Sequence, residues 1–309
     1  MRSRLSAVPL LSALLLAGTP SLLEAVEAPR IHVWSAESAR IISEGQLQQA
    51  VSSADYLIIG EIHDNPEHHR LQARLLAHFA DHHDGQLSVG FEQLNVDQQP
   101  LLDEFPLHDD TRAETFGEAV DWADSGWPDY AMYQPLFAAS FERGLPVVPL
   151  MFSPGITRGI FEDGVGAALP PEVLQQLEPQ SLLSDAERRV VEQEMQDAHC
   201  GKLPESMLPG MVNVQIARDA FMAHRMVQAD ERAVVITGNG HARRDRGVPY
   251  FLQRLRPEAR IVVVSLLETS ETAEDSIEEA AARRADAEIT DYTVFTPEQE
   301  RSDPCLAFQ

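Results

Sequence analysis

The chain has 309 residues, is 44% hydrophobic and carries a formal charge of −25. That length and apolar content suffice for a large core, in one α/β domain with insertions or in two domains, and exclude a chain disordered throughout. A field this negative repels nucleic acid and anionic membrane surfaces, so neither is expected as a partner.

The chain opens with Arg2 and Arg4, an apolar run from Val8 to Ala17, and small turn residues from Gly18 to Ser21. This is the pattern of a secretory signal peptide, and the run is too short to span a bilayer. Cleavage is expected after Ala25, which leaves a mature domain of residues 26–309. The destination is then the periplasm or the cell exterior. No Cys lies near the expected cut, so an N-terminal lipid anchor is not supported. Cys200 and Cys305 are the two cysteines; in an exported protein they form a disulfide or stay as thiols, and sequence leaves both open.

Five short apolar runs follow: Tyr56-Leu57-Ile58-Ile59, Leu87-Ser88-Val89-Gly90-Phe91, 146–151, Ala233-Val234-Val235-Ile236-Thr237 and 261–267. Continuous apolar runs of this length suit strands covered on both faces. Helical spacing appears between them, over 66–80 behind Asn65 as cap, over 133–143 before Gly144, and over 211–228. The alternation predicts an α/β fold, a mostly parallel central sheet flanked by helices. Residues 94–130 and 155–210 break the rhythm and are read as a helical insertion, or lid, over one edge of the sheet. Residues 268–290 read as a solvated helix or linker.

In a parallel sheet, ligands bind beyond the carboxyl ends of the strands. Glu61 and His63 follow the first run, Glu92 the second, and Gly238-Asn239-Gly240-His241 the fourth. Two strand ends thus share the pattern Gly-x-x-His. His63, His241, Glu61 and Glu92 are the candidate metal ligands, because imidazoles and carboxylates meeting at one crevice suit a divalent ion. They suit acid–base chemistry at neutral pH equally well. The plainer reading is two histidines capping strand ends. His69 stands close enough in sequence to join His63, whereas His68 is expected to face solvent. Trp122, Trp127, Tyr130, Met132 and Tyr133 read as core and lid packing or as an aromatic wall for a flat ligand; Tyr, His and Met are all haem ligands elsewhere. Arg243, Arg244 and Arg246 read as partners for ligand carboxylates or phosphates, or as a solvated turn.

Gly60-Glu61-Ile62-His63-Asp64-Asn65-Pro66-Glu67-His68-His69, Gly90-Phe91-Glu92-Gln93-Leu94, Gly238-Asn239-Gly240-His241 and Arg246-Gly247-Val248-Pro249 together resemble the ChaN family of haem-binding uptake proteins. That family sits in a wider group with Tiki-type metalloproteases and TraB-like proteins. The resemblance implies export, a role in haem or iron uptake, haem or another small ligand as partner, a homodimer with haem at its interface, and contact with an outer-membrane uptake system. It places the wider group's metal pair on His63 and His241. For haem it offers Tyr133 or Tyr130 as axial ligand, with His69 and Arg243 as further contacts. The alternative is a metal-dependent hydrolase with Glu61 or Glu92 as base. A third reading is an interaction protein with a vestigial site.

Overall fold

Tyr56, Leu57, Ile58 and Ile59 are all buried, yet they serve two different cores. Leu57 and Ile59 pack with Leu71, Leu75 and Phe137 on one face; Tyr56 and Ile58 pack with Ile216, Ala220 and Phe251 on the other. A strand alternates its side chains, so a run apolar at every position has helices on both sides. In the computed structural model, which describes residues 31–105, 112–270, 274–284, 289–303 and 305–306, this gives a three-layer α/β/α arrangement. The expected signal segment 1–25 and part of the first insertion lie outside the described residues.

The strands are β1 (His32–Ser35), β2 (Arg40–Ile42), β3 (Tyr56–Glu61), β4 (Ser88–Asn95), β5 (Val147–Met151), β6 (Ala233–Gly238), β7 (Ile261–Thr269) and β8 (Tyr292–Pro297). They form one sheet in the order β2-β1-β8-β7-β3-β6-β4-β5. The strands from β8 to β5 run parallel; β1 pairs antiparallel with both β8 and β2. The mostly parallel α/β sheet expected from the apolar runs is therefore present, with β1, β2 and β8 added.

Helix α1 (Glu44–Ser52) precedes β3 and α2 (Pro66–His82) follows it; α3 (Gln99–Glu104), α4 (Arg112–Ala119) and α5 (Tyr130–Glu142) join β4 to β5. Then α6 (Ile156–Asp163), α7 (Pro171–Leu177), α8 (Asp185–Ala198) and α9 (Leu208–Ala229) lead to β6, α10 (Val248–Leu255) to β7, and α11 (Glu274–Arg284) to β8. α2 and α5 cover one face, α9 and α10 the other. The stacked rings of Phe91 and Phe137, 4.4 Å apart, tie β4 to α5. Each such fully buried side chain stabilises the fold by about 1.5–3 kcal/mol. The stretch 268–290 is less solvated than its composition suggests: Ile277 and Ala281 of α11 are buried against Trp34 and Phe295.

Helix starts follow their caps. Asn65 accepts hydrogen bonds from the backbone N–H groups of Glu67 and His68, with Pro66 in the first turn. Ser184 and Glu187 form a reciprocal capping box on α8. Cys200, just past α8, is bonded to Cys305 near the chain's end, across a sequence separation of 105. Among the described residues, no helix is long and apolar enough to cross a membrane.

Candidate functional site

The helix leaving β3, α2, lies on one face of the sheet, and the helix leaving neighbouring β6, α10, lies on the other. Such a reversal opens a crevice beyond the strands' carboxyl ends. Register brings three strand ends level there: Glu61 pairs with Gly238, Gly60 with Thr237, and Phe91, one residue before Glu92, with Ile236. Both Gly-x-x-His segments turn off these ends. Gly60 is needed because a Cβ there would lie 2.5 Å from Asn239 Oδ1 and 2.7 Å from Ala242 Cβ, so only glycine lets the loop after β6 lie across β3.

Glu61 is 2% exposed. Its Oε1 faces His63 Nδ1 at 2.9 Å and accepts hydrogen bonds from Gln93 Nε2 at 3.0 Å and the Tyr133 hydroxyl at 3.1 Å. Its Oε2 lies 2.8 Å from His69 Nδ1, an ion-pair distance without hydrogen-bond alignment. His69 Nε2 is directed at the His63 backbone carbonyl, 3.0 Å away. Burial opposes charge on Glu61, but the hydrogen bond to His63 and the close approach of His69 outweigh it and lower its pKa. Burial likewise opposes charge on His63, and the bond to Glu61 with the nearby Glu92 charge outweighs it, raising the imidazole's pKa.

His63 remains partly open, with 37% of its side chain exposed. Its Nε2 lies over Gly238, where a Cβ would be only 2.7 Å away. Its ring meets Trp127 edge-on, with centroids 4.9 Å apart.

The second centre is closed. His241, 6% exposed, has Nδ1 2.7 Å from Asp219 Oδ1 and Nε2 3.3 Å from Glu92 Oε1. Glu92 Oε2 accepts bonds from Thr237 Oγ1 at 2.6 Å and the Gly238 N–H at 2.8 Å. With a carboxylate at each ring nitrogen, burial's push toward neutral imidazole is overcome and the His241 pKa rises to about 10. Burial also opposes ionisation of Glu92, but the His241 charge holds it well below the usual carboxylate range. Burial dominates at Asp219 and raises it to about 6.

The structure thus brings His63, Glu61, Glu92, His241, His69 and Tyr133 together at one rim. The four candidate metal ligands hold one another rather than a shared point. Among the described residues, no group of three or more His, Cys, Asp or Glu side chains has the geometry to hold a metal ion. Tyr133 and Tyr130 are both turned inward: the Tyr133 hydroxyl donates to Glu61, and the Tyr130 hydroxyl donates to the Ala113 carbonyl at 2.6 Å. Burial raises both phenols far above the physiological range. Arg243 is committed to Asp245, and Arg244 to Asp291. His68 is the clear departure from expectation. It is fully buried, its Nδ1 accepts the Ile62 N–H and its Nε2 meets Thr296 Oγ1. Burial lowers its pKa to about 4, so it stays neutral.

A cleft of about 680 Å³ runs beside this rim, lined among others by Glu92, Gln93, Trp127, Met151, Phe152 and Arg218. That volume falls in the range of small-ligand sites. Asp219 and Arg218 were not singled out as site residues from sequence. A signal existed for Asp219: it shares the apolar stripe of Val212, Ile216 and Ala223 on α9, and a lone carboxylate on a buried stripe demands a partner.

No curated protein matches this sequence. Among solved structures, ChaN of Campylobacter jejuni with cofacially bound heme is similar, with a TM-score of 0.66 and 18% identity over 87% of this chain and 97% of that one. The type III effector HopBA1 gives a TM-score of 0.43 at 12% identity, over 82% of this chain and 92% of that one. A family model described as haem-binding uptake, Tiki superfamily, ChaN matches residues 47–252. With two thirds of its sequence and its fold in agreement, the chain belongs to the ChaN family of haem-binding uptake proteins.

Proposed function

We propose that this protein is an exported haem-binding protein of haem or iron uptake, and that it takes the porphyrin in the cleft beside His63. The observation that carries this reading is the state of His63. A buried carboxylate orients its Nδ1, while the side chain keeps 37% of its surface exposed and its ring meets Trp127, a wall of the neighbouring cleft. An imidazole held this way by an outer carboxylate is the usual form of a metal-ligating histidine. Tyr133 and Tyr130 spend their hydroxyls inside the protein, which makes His63 the better axial ligand to iron. The Cys200–Cys305 bond supports an oxidising destination and hence the signal peptide. Family membership supports the uptake role, a homodimer as the haem-bound form, and an outer-membrane system as the receiving partner.

Hemin titration with absorbance in the Soret region tests the reading. Wild type is expected to shift the band at micromolar protein, with the signature of imidazole ligation; His63→Ala is expected to weaken binding at least ten-fold. An unshifted band with wild type overturns it. Light scattering with and without hemin reads the dimer.

A further inference from the structure

The cleft beside His63 is acidic, with Glu92, Asp97, Asp121 and Asp124 among its lining residues. Arg218 is the one basic side chain among its described lining residues. Its Nε is buried and has no hydrogen-bond partner. An unpaired guanidinium nitrogen in a buried position costs free energy until something accepts its hydrogen. The neighbouring Asp219 carboxylate is bonded to His241 through Oδ1 at 2.7 Å, and no hydrogen bond joins it to Arg218 Nε. The other arginines named at this end of the sheet are already paired, Arg243 with Asp245 and Arg244 with Asp291.

We infer that Arg218 receives a carboxylate of the bound ligand, so that the cleft selects planar ligands bearing free acid groups. The inference rests on the proposed haem site and names the chemistry by which it chooses among porphyrins. Guanidinium matches a carboxylate with two parallel N–H donors, a fit that Lys cannot reproduce. The apolar part of the ligand finds Trp127, Met151 and Phe152. Ligand and protein thus meet at two separated points, the imidazole of His63 and the guanidinium of Arg218, which fixes orientation as well as affinity.

The test compares hemin with iron-free protoporphyrin, each as free acid and as dimethyl ester, on wild type and Arg218→Gln. Binding is followed by Soret absorbance and by quenching of tryptophan emission. The expected result is that wild type binds each acid about ten-fold or more tightly than its ester. Arg218→Gln is expected to bind acid and ester alike while unfolding at an unchanged urea midpoint. The acid-over-ester preference of wild type needs no variant, so a misfolded Arg218→Gln leaves the test intact. Equal binding of acid and ester by wild type overturns the Arg218 assignment. A protoporphyrin acid preference without any hemin Soret shift overturns the haem reading and leaves Arg218 standing. No binding of any of the four porphyrins overturns both.

Discussion

His63 and His241 occupy the same position in the same four-residue pattern, on adjacent parallel strands, and end in opposite states. His63 has one carboxylate, at Nδ1, and an open edge; His241 has carboxylates at both nitrogens and almost no exposure. The difference comes from elements distant in sequence. α9 delivers Asp219 behind His241, while α2 delivers His69 to Glu61 and leaves the far side of His63 facing Trp127. A strand-end histidine is therefore a structural cation or an available ligand according to what packs behind it. Here the buried centre fixes the geometry of the strand ends, and the open centre uses it.

The largest expected effect separates the two directly. His241→Ala leaves Glu92 and Asp219 buried without their shared counter-charge, a loss of about 3–5 kcal/mol by urea unfolding. His63→Ala removes a half-exposed ring and is expected to cost about 1 kcal/mol or less, while hemin affinity falls. Equal destabilisation by the two substitutions breaks the comparison. Next comes pH. His241 is raised from its ordinary 6.5 to about 10, so the folded state holds a proton that the unfolded chain releases. Its contribution is fully present below pH 6.5 and is lost as pH rises through about 10. Unfolding free energy is expected to fall across that window and to flatten in His241→Gln; an identical slope in the variant assigns the titration elsewhere. Smaller is Thr237→Val, which takes one donor from the buried Glu92 carboxylate and is expected to cost about 1.5–3 kcal/mol. As small in stability as His63→Ala is Gly238→Ala. The added Cβ meets only the end of the His63 ring, at 2.7 Å, so the fold loses about 1 kcal/mol while the displaced imidazole lowers hemin affinity more than it lowers stability.

Much of this could be read before any coordinates. Runs such as 233–237 and 261–267 declare themselves as strands because both faces are apolar, and the two Gly-x-x-His segments lead to the rim by the geometry of parallel sheets alone. β1 and β2 stayed hidden because they are only four and three residues long, and β8 because its six residues interleave threonines with apolar side chains and so form no continuous apolar run. Trp34 and Phe295 face a small third core rather than a continuous one. His68 misled because polar residues in a first helical turn usually face water; its burial depends on Thr296, more than two hundred residues away. Tyr133 looked available for the same reason: nothing local shows that its hydroxyl ends on Glu61. Arg218 and Asp219 are adjacent yet face different tasks, a division set by the helix's rotation against the sheet.

The pairing of β1 with β8 joins the beginning of the described chain to its end. A nascent polypeptide that has not yet reached β8 leaves β7 with an unpaired edge and the β1–β2 hairpin with nothing to join. Sheet closure must therefore wait for β8 to be made, and the loop it closes is nearly as long as the described domain, which slows folding. Any product that stops before β8 then shows a raw sheet margin to proteases.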